Sequence, residues 1–387
     1  MSTDKEFRSF IMGGFECSTH RRRNGDRLDL IASTGHDRFA NGDYRRLADL
    51  GILTARDGLR WHLIETEPFN YDFSSAEAQI AAAADAGVQV IWDIFHYGFP
   101  DDLDIFSDEF RERFASFAAA AAAHLAERSP GPLYVCPVNE ISFFSWIAGE
   151  VGNFHPKARK RGDELKRRMV EASVASMNAM RETVPDITFI HTDPAIHVIG
   201  AKNDPASQRA AESYRQAQFQ AYDMLSGRRD PELGGHEDHL QMIGLNYYFH
   251  NQWRYPNRRK IPLGHPDYRP FSEILREYYD RYRKPILIAE TGIEDDERPI
   301  WFRYVCEQVR EAMTAGVDVR GVCLYPIVNH PGWEDERHCH NGLWDYLDEK
   351  NERAAFLPLE EEIKRQAAIF EDFGTAISRR GRASTAG

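Results

Sequence analysis

Eight times along this chain a short apolar run gives way to a segment with helical spacing, and nothing else in the sequence restricts the possible folds as strongly. The clearest run is Pro285-Ile286-Leu287-Ile288-Ala289-Glu290-Thr291-Gly292. An apolar strand without polar alternation is covered on both faces, which is the condition of a parallel sheet wrapped in helices. Strands are expected at Phe10–Phe15, Ile52–Arg56, Val88–Ile94, from Leu133, at Ile187–His191, Leu240–Asn246, from Pro285 and at Val319–Tyr325. Helices are expected at Asp37–Leu50, Ser74–Ala86, Ser107–Glu127, Asp163–Thr183, Pro205–Leu225, Phe271–Tyr282, Pro299–Ala315 and Leu359–Phe373. Gly51, Gly87 and Gly316 stand where three of these helices should stop. Such a series predicts an α/β chain folded as a (β/α)8 TIM barrel, a single domain over 1–387 with its core at about 8–373 and a polar tail at 374–387. An open doubly wound sheet has the same periodicity. No Gly-x-Gly-x-x-Gly turn follows a strand and no Gly-Lys-Ser loop is present, which weakens any nucleotide site.

A formal charge of -13 disfavours binding to a nucleic-acid backbone, and basic runs such as Arg21-Arg22-Arg23 read as solvated surface. Cys17, Cys136, Cys306, Cys323 and Cys339 have no repeating spacing, and three lie in apolar runs. Free buried thiols in a reducing compartment are therefore expected. With no basic-then-apolar leader and no apolar stretch of spanning length, a cytoplasmic protein without a membrane partner is expected. Oligomeric state is not legible.

Two expected strands end in a glutamate, since Leu133-Tyr134-Val135-Cys136-Pro137-Val138-Asn139-Glu140 has the same form as the Glu290 run. Catalytic groups of a barrel gather at the C-terminal ends of its strands, so the two carboxylates would share one mouth. Arg56, His96-Tyr97, Asn139, His191, Asn246-Tyr247-Tyr248 and Tyr325 would join them, with Trp333 and Glu334 from the loop after the last strand. Amides, carboxylates and aromatic faces suit a neutral polyhydroxylated ligand, so a small-molecule carbohydrate is the expected partner. Splitting an acetal needs one carboxyl that holds a proton and one that is bare. Glu140 is the expected acid and Glu290 the expected nucleophile. Asn139 would hold the hydroxyl beside the anomeric carbon, Arg56 would keep Glu290 ionised, and Tyr247 or Tyr248 would donate to it. Arg56 could instead be a structural partner of Asp57 or Asp93 and His96 a capping histidine, whereas Trp92 reads first as a core residue. Glu16 to Arg27 reads as a surface loop.

His62-x-x-Glu65 and His338-Cys339-His340 contain metal-ligand residue types. Neither has the helical His-Glu-x-x-His arrangement, and adjacent strand residues point opposite ways, so no metal or other cofactor is expected. A Gly-x-Ser-x-Gly elbow is absent, which disfavours a serine nucleophile.

From about Phe10 to Asp348 the order of motifs resembles the family 1 glycoside hydrolases, the β-glucosidase and β-galactosidase group. Phe10-Ile-Met-Gly-Gly resembles the first-strand motif, Ala55-Arg56-Asp-Gly-Leu-Arg-Trp61 the second, and Phe95-His96-Tyr97-Gly-Phe-Pro100 the third, with tyrosine for tryptophan. Val138-Asn139-Glu140 resembles the acid/base motif, with Ile141 for the usual proline. Gly244-Leu-Asn-Tyr-Tyr248, Glu290-Thr291-Gly292 and Asn341-Gly-Leu-Trp-Asp-Tyr-Leu-Asp348 match the later motifs, with Thr291 for asparagine. The resemblance implies a retaining double displacement with carboxyl groups about 5 to 5.5 Å apart. It also places the family's first-strand glutamine near His20, turns its tryptophan-serine pair into Tyr325-Pro326, and leaves Glu334 to stand in for a sugar-binding glutamate near Gly332. These departures surround the sugar, so a glucose or galactose preference does not carry over. Glycan binding or assembly without cleavage, and transfer to an acceptor, use the same residues.

Overall fold

The structure, a computed structural model, describes residues 6–129 and 131–384, with side chains through 375. Expectations that fall on residues 1–5 (no leader), Pro130 (a helix breaker) and 385–387 (the end of a polar tail) lie outside the described residues. Eight strands close into a barrel: β1 Ile11–Gly14, β2 Thr54–Gly58, β3 Gln89–Asp93, β4 Tyr134–Cys136, β5 Thr188–Pro194, β6 Met242–Asn246, β7 Ile286–Thr291 and β8 Val319–Leu324. Each pairs in parallel with its neighbours in the chain, and β8 returns to β1 through Ile11↔Val322 and Met12↔Cys323. Closure removes the alternative of an open sheet.

Around the barrel lie α1 His36–Asp49, α2 Ser74–Asp85, α3 Asp108–Arg128, α4 Gly162–Thr183, α5 Pro205–Gln216, α6 Phe271–Tyr282, α7 Arg298–Thr314 and α8 Leu357–Ser384. Two of the starts follow capping chemistry. Ser107 Oγ accepts from Phe110 N over 3.2 Å ahead of α3, and Asp204 accepts from Ala206 N and Ser207 N with Pro205 in the first turn of α5. Two helix expectations are corrected. The segment Pro205–Leu225 is divided by a 3-10 turn at Ala217–Phe219, and the last helix continues past Phe373 to Ser384.

Strand alternation sorts the core into two shells. Met12, Ile91, Tyr134, Ile190, Met242, Leu287 and Cys323 fill the barrel interior. Ile11, Trp92, Val135, Phe189, Ile243, Ile286, Ile288 and Val322 face the helices, where they meet residues such as Leu47, Ile80 and Phe114. The core reading of Trp92 is therefore correct. Gly14 is required where β1 ends, because a Cβ there would lie 2.1 Å from Cδ2 of Tyr325, whose ring occupies the space. Among the described residues no helix is long and apolar enough to cross a membrane.

Candidate active site

The C-terminal mouth of the barrel is assembled by the same alternation. Arg56 on β2 and Asp93 on β3 face inward. The guanidinium donates from Nε to Asp93 Oδ1 over 2.9 Å and from Nη2 to Asp93 Oδ2 over 2.7 Å. It also reaches two further strands, giving Nη1 to Glu290 Oε1 over 2.6 Å and Nη2 to Asn139 Oδ1 over 2.7 Å. The structural pairing with Asp93 and the pairing with Glu290 are thus both real, and Tyr325 lies 5.2 Å from the guanidinium carbon.

Strict period two would turn Glu290 toward the helices, because Leu287 and Ala289 face the interior. A register shift after Ile288 in the pairing of β7 with both neighbours re-phases the strand, so that Ala289 and Glu290 both point inward. Tyr248 Oη then donates to Glu290 Oε2 over 2.9 Å. At the end of β4 the bend at Pro137 does the same for Asn139, which bridges to Thr192 of β5.

Glu140 follows at φ 50°, and Tyr97, whose hydroxyl donates to Glu140 Oε2, is at φ 66°. Two bulky residues in the left-handed region, bonded to each other, store on the order of 1–3 kcal/mol each and mark a constrained site. Asn246 Nδ2 donates to the other oxygen, Glu140 Oε1, over 2.9 Å.

A guanidinium only donates, so Asn139 Oδ1 is the acceptor and Nδ2 the donor to His96 Nε2 over 2.9 Å. The network therefore assigns the proton of His96 to Nδ1, 2.9 Å from Asp93 Oδ2. Burial pushes Glu140 well above the usual carboxylate range, and the charge of Glu290 adds to it against the donors Tyr97 and Asn246. Burial also raises Glu290, and the charge of Arg56 is the largest influence against it. Burial keeps Tyr97 a protonated donor, pushing its hydroxyl well up, with Glu140 next.

Glu140, Glu290, Arg56, His96, Asn139, Asn246, Tyr248 and Tyr325 thus come together as the sequence suggests. His20 and Trp333 form a wall beside them: His20 stacks on Phe154 at 3.9 Å, and Trp333 meets His20 at 5.6 Å and Tyr97 at 5.9 Å. Burial lowers His20 to about 4, which keeps it neutral.

Four expectations are corrected. Tyr247 faces the helix layer, stacked on Phe271 at 3.9 Å and bonded to Tyr268 at 2.6 Å, because it alternates with Asn246 and Tyr248. His191 likewise faces outward and lies 2.9 Å from the His239 carbonyl. Glu334 stays exposed on the outer rim, accepting from Asn153 Nδ2 over 3.3 Å. Glu16 to His20 is a buried lining of the mouth, and only the residues after it reach the surface.

Sequence reasoning passed over Glu16 and gave Tyr97 no role. The signal for Glu16 was the alternation of β1, which carries Gly14 inward and Glu16 with it. Glu65 is consumed by Trp61, Phe69 and Arg113, away from His62. Cys17, Asp93 and His96 lie within reach of one ion, but Arg56 takes both oxygens of Asp93. His338 and His340, two apart and stacked at 4.5 Å, come near Asp345 on the outer side of the last loop, so only Cys339 is turned away as the strand argument required.

These features define a (β/α)8 barrel with two unlike carboxyl groups at its C-terminal mouth. No protein-family model matches the chain. In fold it is similar to the family 1 β-glucosidase of Thermotoga maritima, with a TM-score of 0.76 and 15% identity over 95% of this chain and 99% of that one. The same enzyme in complex with glucoimidazole superposes with a TM-score of 0.76 over 96% of this chain and 100% of that one. A β-galactosidase of Sulfolobus acidocaldarius is 32% identical over 83 residues, which are 20% of this chain and 17% of that protein. The chain has the fold of these β-glucosidases.

Proposed function

We propose that the protein is a retaining β-glycosidase with Glu290 as nucleophile and Glu140 as acid and base. The observation that carries this is the inequality of partners: Glu290 is held by the cation Arg56, whereas Glu140 has only the neutral donors Tyr97 and Asn246. A buried pair sharing one proton keeps it on the member without the cation. Glu140 then protonates the departing oxygen while Glu290 attacks the anomeric carbon and forms a glycosyl ester. In the second half Glu140, now bare, takes a proton from water, which displaces Glu290. Arg56 also grips Asn139, which fixes the spacing between the nucleophile and the residue that would hold the neighbouring hydroxyl. The likeness in fold to β-glucosidases supports this reading.

A 2-fluoro glycoside should label Glu290, read by mass spectrometry of the digested protein. Glu290→Ala should lose turnover by at least about 10³-fold and regain it with azide as an inverted glycosyl azide. Full activity in that variant removes the assignment. One observation favours a second reading, sugar binding without cleavage: both oxygens of Glu140 accept hydrogen bonds, as suits a carboxylate better than an acid. Calorimetric binding of sugars by the intact protein with no release of product would select it.

A further inference from the structure

Glu16 lies two residues beyond the end of β1, and the alternation that turns Gly14 inward turns Glu16 into the barrel mouth. Glu16 is 6% exposed, and its carboxylate accepts from Ser18 N over 3.0 Å and lies 3.8 Å from His96 Nε2. That nitrogen already accepts from Asn139 Nδ2, so it offers Glu16 no proton. Among the described residues no lysine or arginine forms an ion pair with Glu16, and the guanidinium of the pocket is engaged by Asp93, Glu290 and Asn139. A second group has the same need: Asn246 Oδ1 is wholly buried and has no partner, while its Nδ2 is bound to Glu140. Both atoms accept and neither donates. These two acceptors call for donors, whereas Trp333 Nε1 in the wall is a buried donor without a partner, and the site already carries Glu16, Asp93 and Glu290 against one arginine.

We propose that Glu16 contacts the sugar and makes this subsite select a protonated amino sugar over its neutral hydroxyl counterpart, while excluding sugars that carry a carboxylate or phosphate. The inference rests on the glycosidase reading of the same mouth. A buried carboxylate with one backbone donor is under-satisfied, and an ammonium restores more of its lost solvation than a hydroxyl does. An anionic sugar would set a further negative charge against Glu16 and Glu290, where little water screens it.

The test compares wild type with Glu16→Gln, which keeps an acceptor for Ser18 N–H and removes the charge. 3-Amino-3-deoxyglucose, whose ammonium stands one carbon beyond the hydroxyl assigned to Asn139, is titrated by calorimetry with glucose and glucuronate, and kcat/KM is measured for the matching aryl β-glycosides. Preference is read as a ratio of two sugars on one preparation, so it is independent of the fraction folded. Wild type should favour the amino sugar about tenfold, the gap between a charge-assisted and a neutral hydrogen bond, and reject glucuronate. The Gln variant should bring that ratio near one and admit glucuronate. A wild type that prefers glucose, or the same ratio in both proteins, overturns the role of Glu16. Cleavage without amino preference overturns Glu16 alone, whereas amino-selective binding without cleavage overturns the glycosidase reading alone. Failure of all three sugars to bind overturns both.

Discussion

Tyr97 shapes the candidate acid directly, since its hydroxyl reaches Glu140 Oε2 while Asn139 Nδ2 donates to that hydroxyl over 3.1 Å. A donor to a carboxylate favours the ionised form, so Tyr97 works against the burial that raises Glu140. Removing it in Tyr97→Phe should raise Glu140 further. Under the proposed mechanism activity requires protonated Glu140 and falls as pH rises through its pKa, so the basic limb of the kcat/KM profile should move to higher pH by about one unit. An unmoved limb would show that Tyr97 does not tune the acid. At this scale the convergence of Glu140, Glu290 and Arg56 on one mouth was legible from their places at the ends of apolar runs. The exclusion of Tyr247 was legible too, because in a strand it cannot share a face with both Asn246 and Tyr248.

Among the elements, α1 is tied to β2 by a charged network under the mouth. His36 gives Nδ1 to Asp43 at 2.9 Å and Nε2 to Asp57 at 3.0 Å, while Arg353 reaches Asp43 over 2.7 Å. Burial opposes the charge on His36, but Asp57 and Asp43 outweigh it and raise its pKa to about 9. A raised histidine contributes stability that is complete below its unfolded value near 6.5 and is lost as pH rises through about 9. The contribution amounts to about 3 kcal/mol at most, taking 1.36 kcal/mol per unit. Urea midpoints of wild type should therefore fall between pH 6 and 9.5 more steeply than those of His36→Gln. Parallel curves would mean that the imidazole is neutral in the fold. Helix positions followed from spacing and from the stops at Gly51, Gly87 and Gly316, each with a left-handed backbone. The burial of Glu16 to His20 did not, because a polar stretch that lines a cleft has the composition of one that faces water.

For the whole molecule, stability rests on a barrel whose interior is filled from all sides. Leu287 is wholly buried there, beside Gly244 and Gly321 on the two flanking strands, and a Cβ on Gly321 would lie 3.2 Å from it. Leu287→Ala should cost about 2–5 kcal/mol, since a closed sheet cannot collapse into the cavity. Tryptophan fluorescence and far-UV circular dichroism should report the same lowered midpoint. A loss below about 1 kcal/mol would mean that the interior relaxes freely.

The sequence by itself determined the order and kind of the elements, since apolar runs and helical spacing are local properties. It also determined that two apolar runs end in glutamate. Only the tertiary structure decided the phase of those strands: the shift beyond Ile288, the bend at Pro137 and the left-handed backbone at Tyr97 and Glu140 each aim a side chain that simple alternation would leave elsewhere. It alone joined Arg56 to Glu290, because a hydrogen bond between residues 234 positions apart exists only once the barrel has closed.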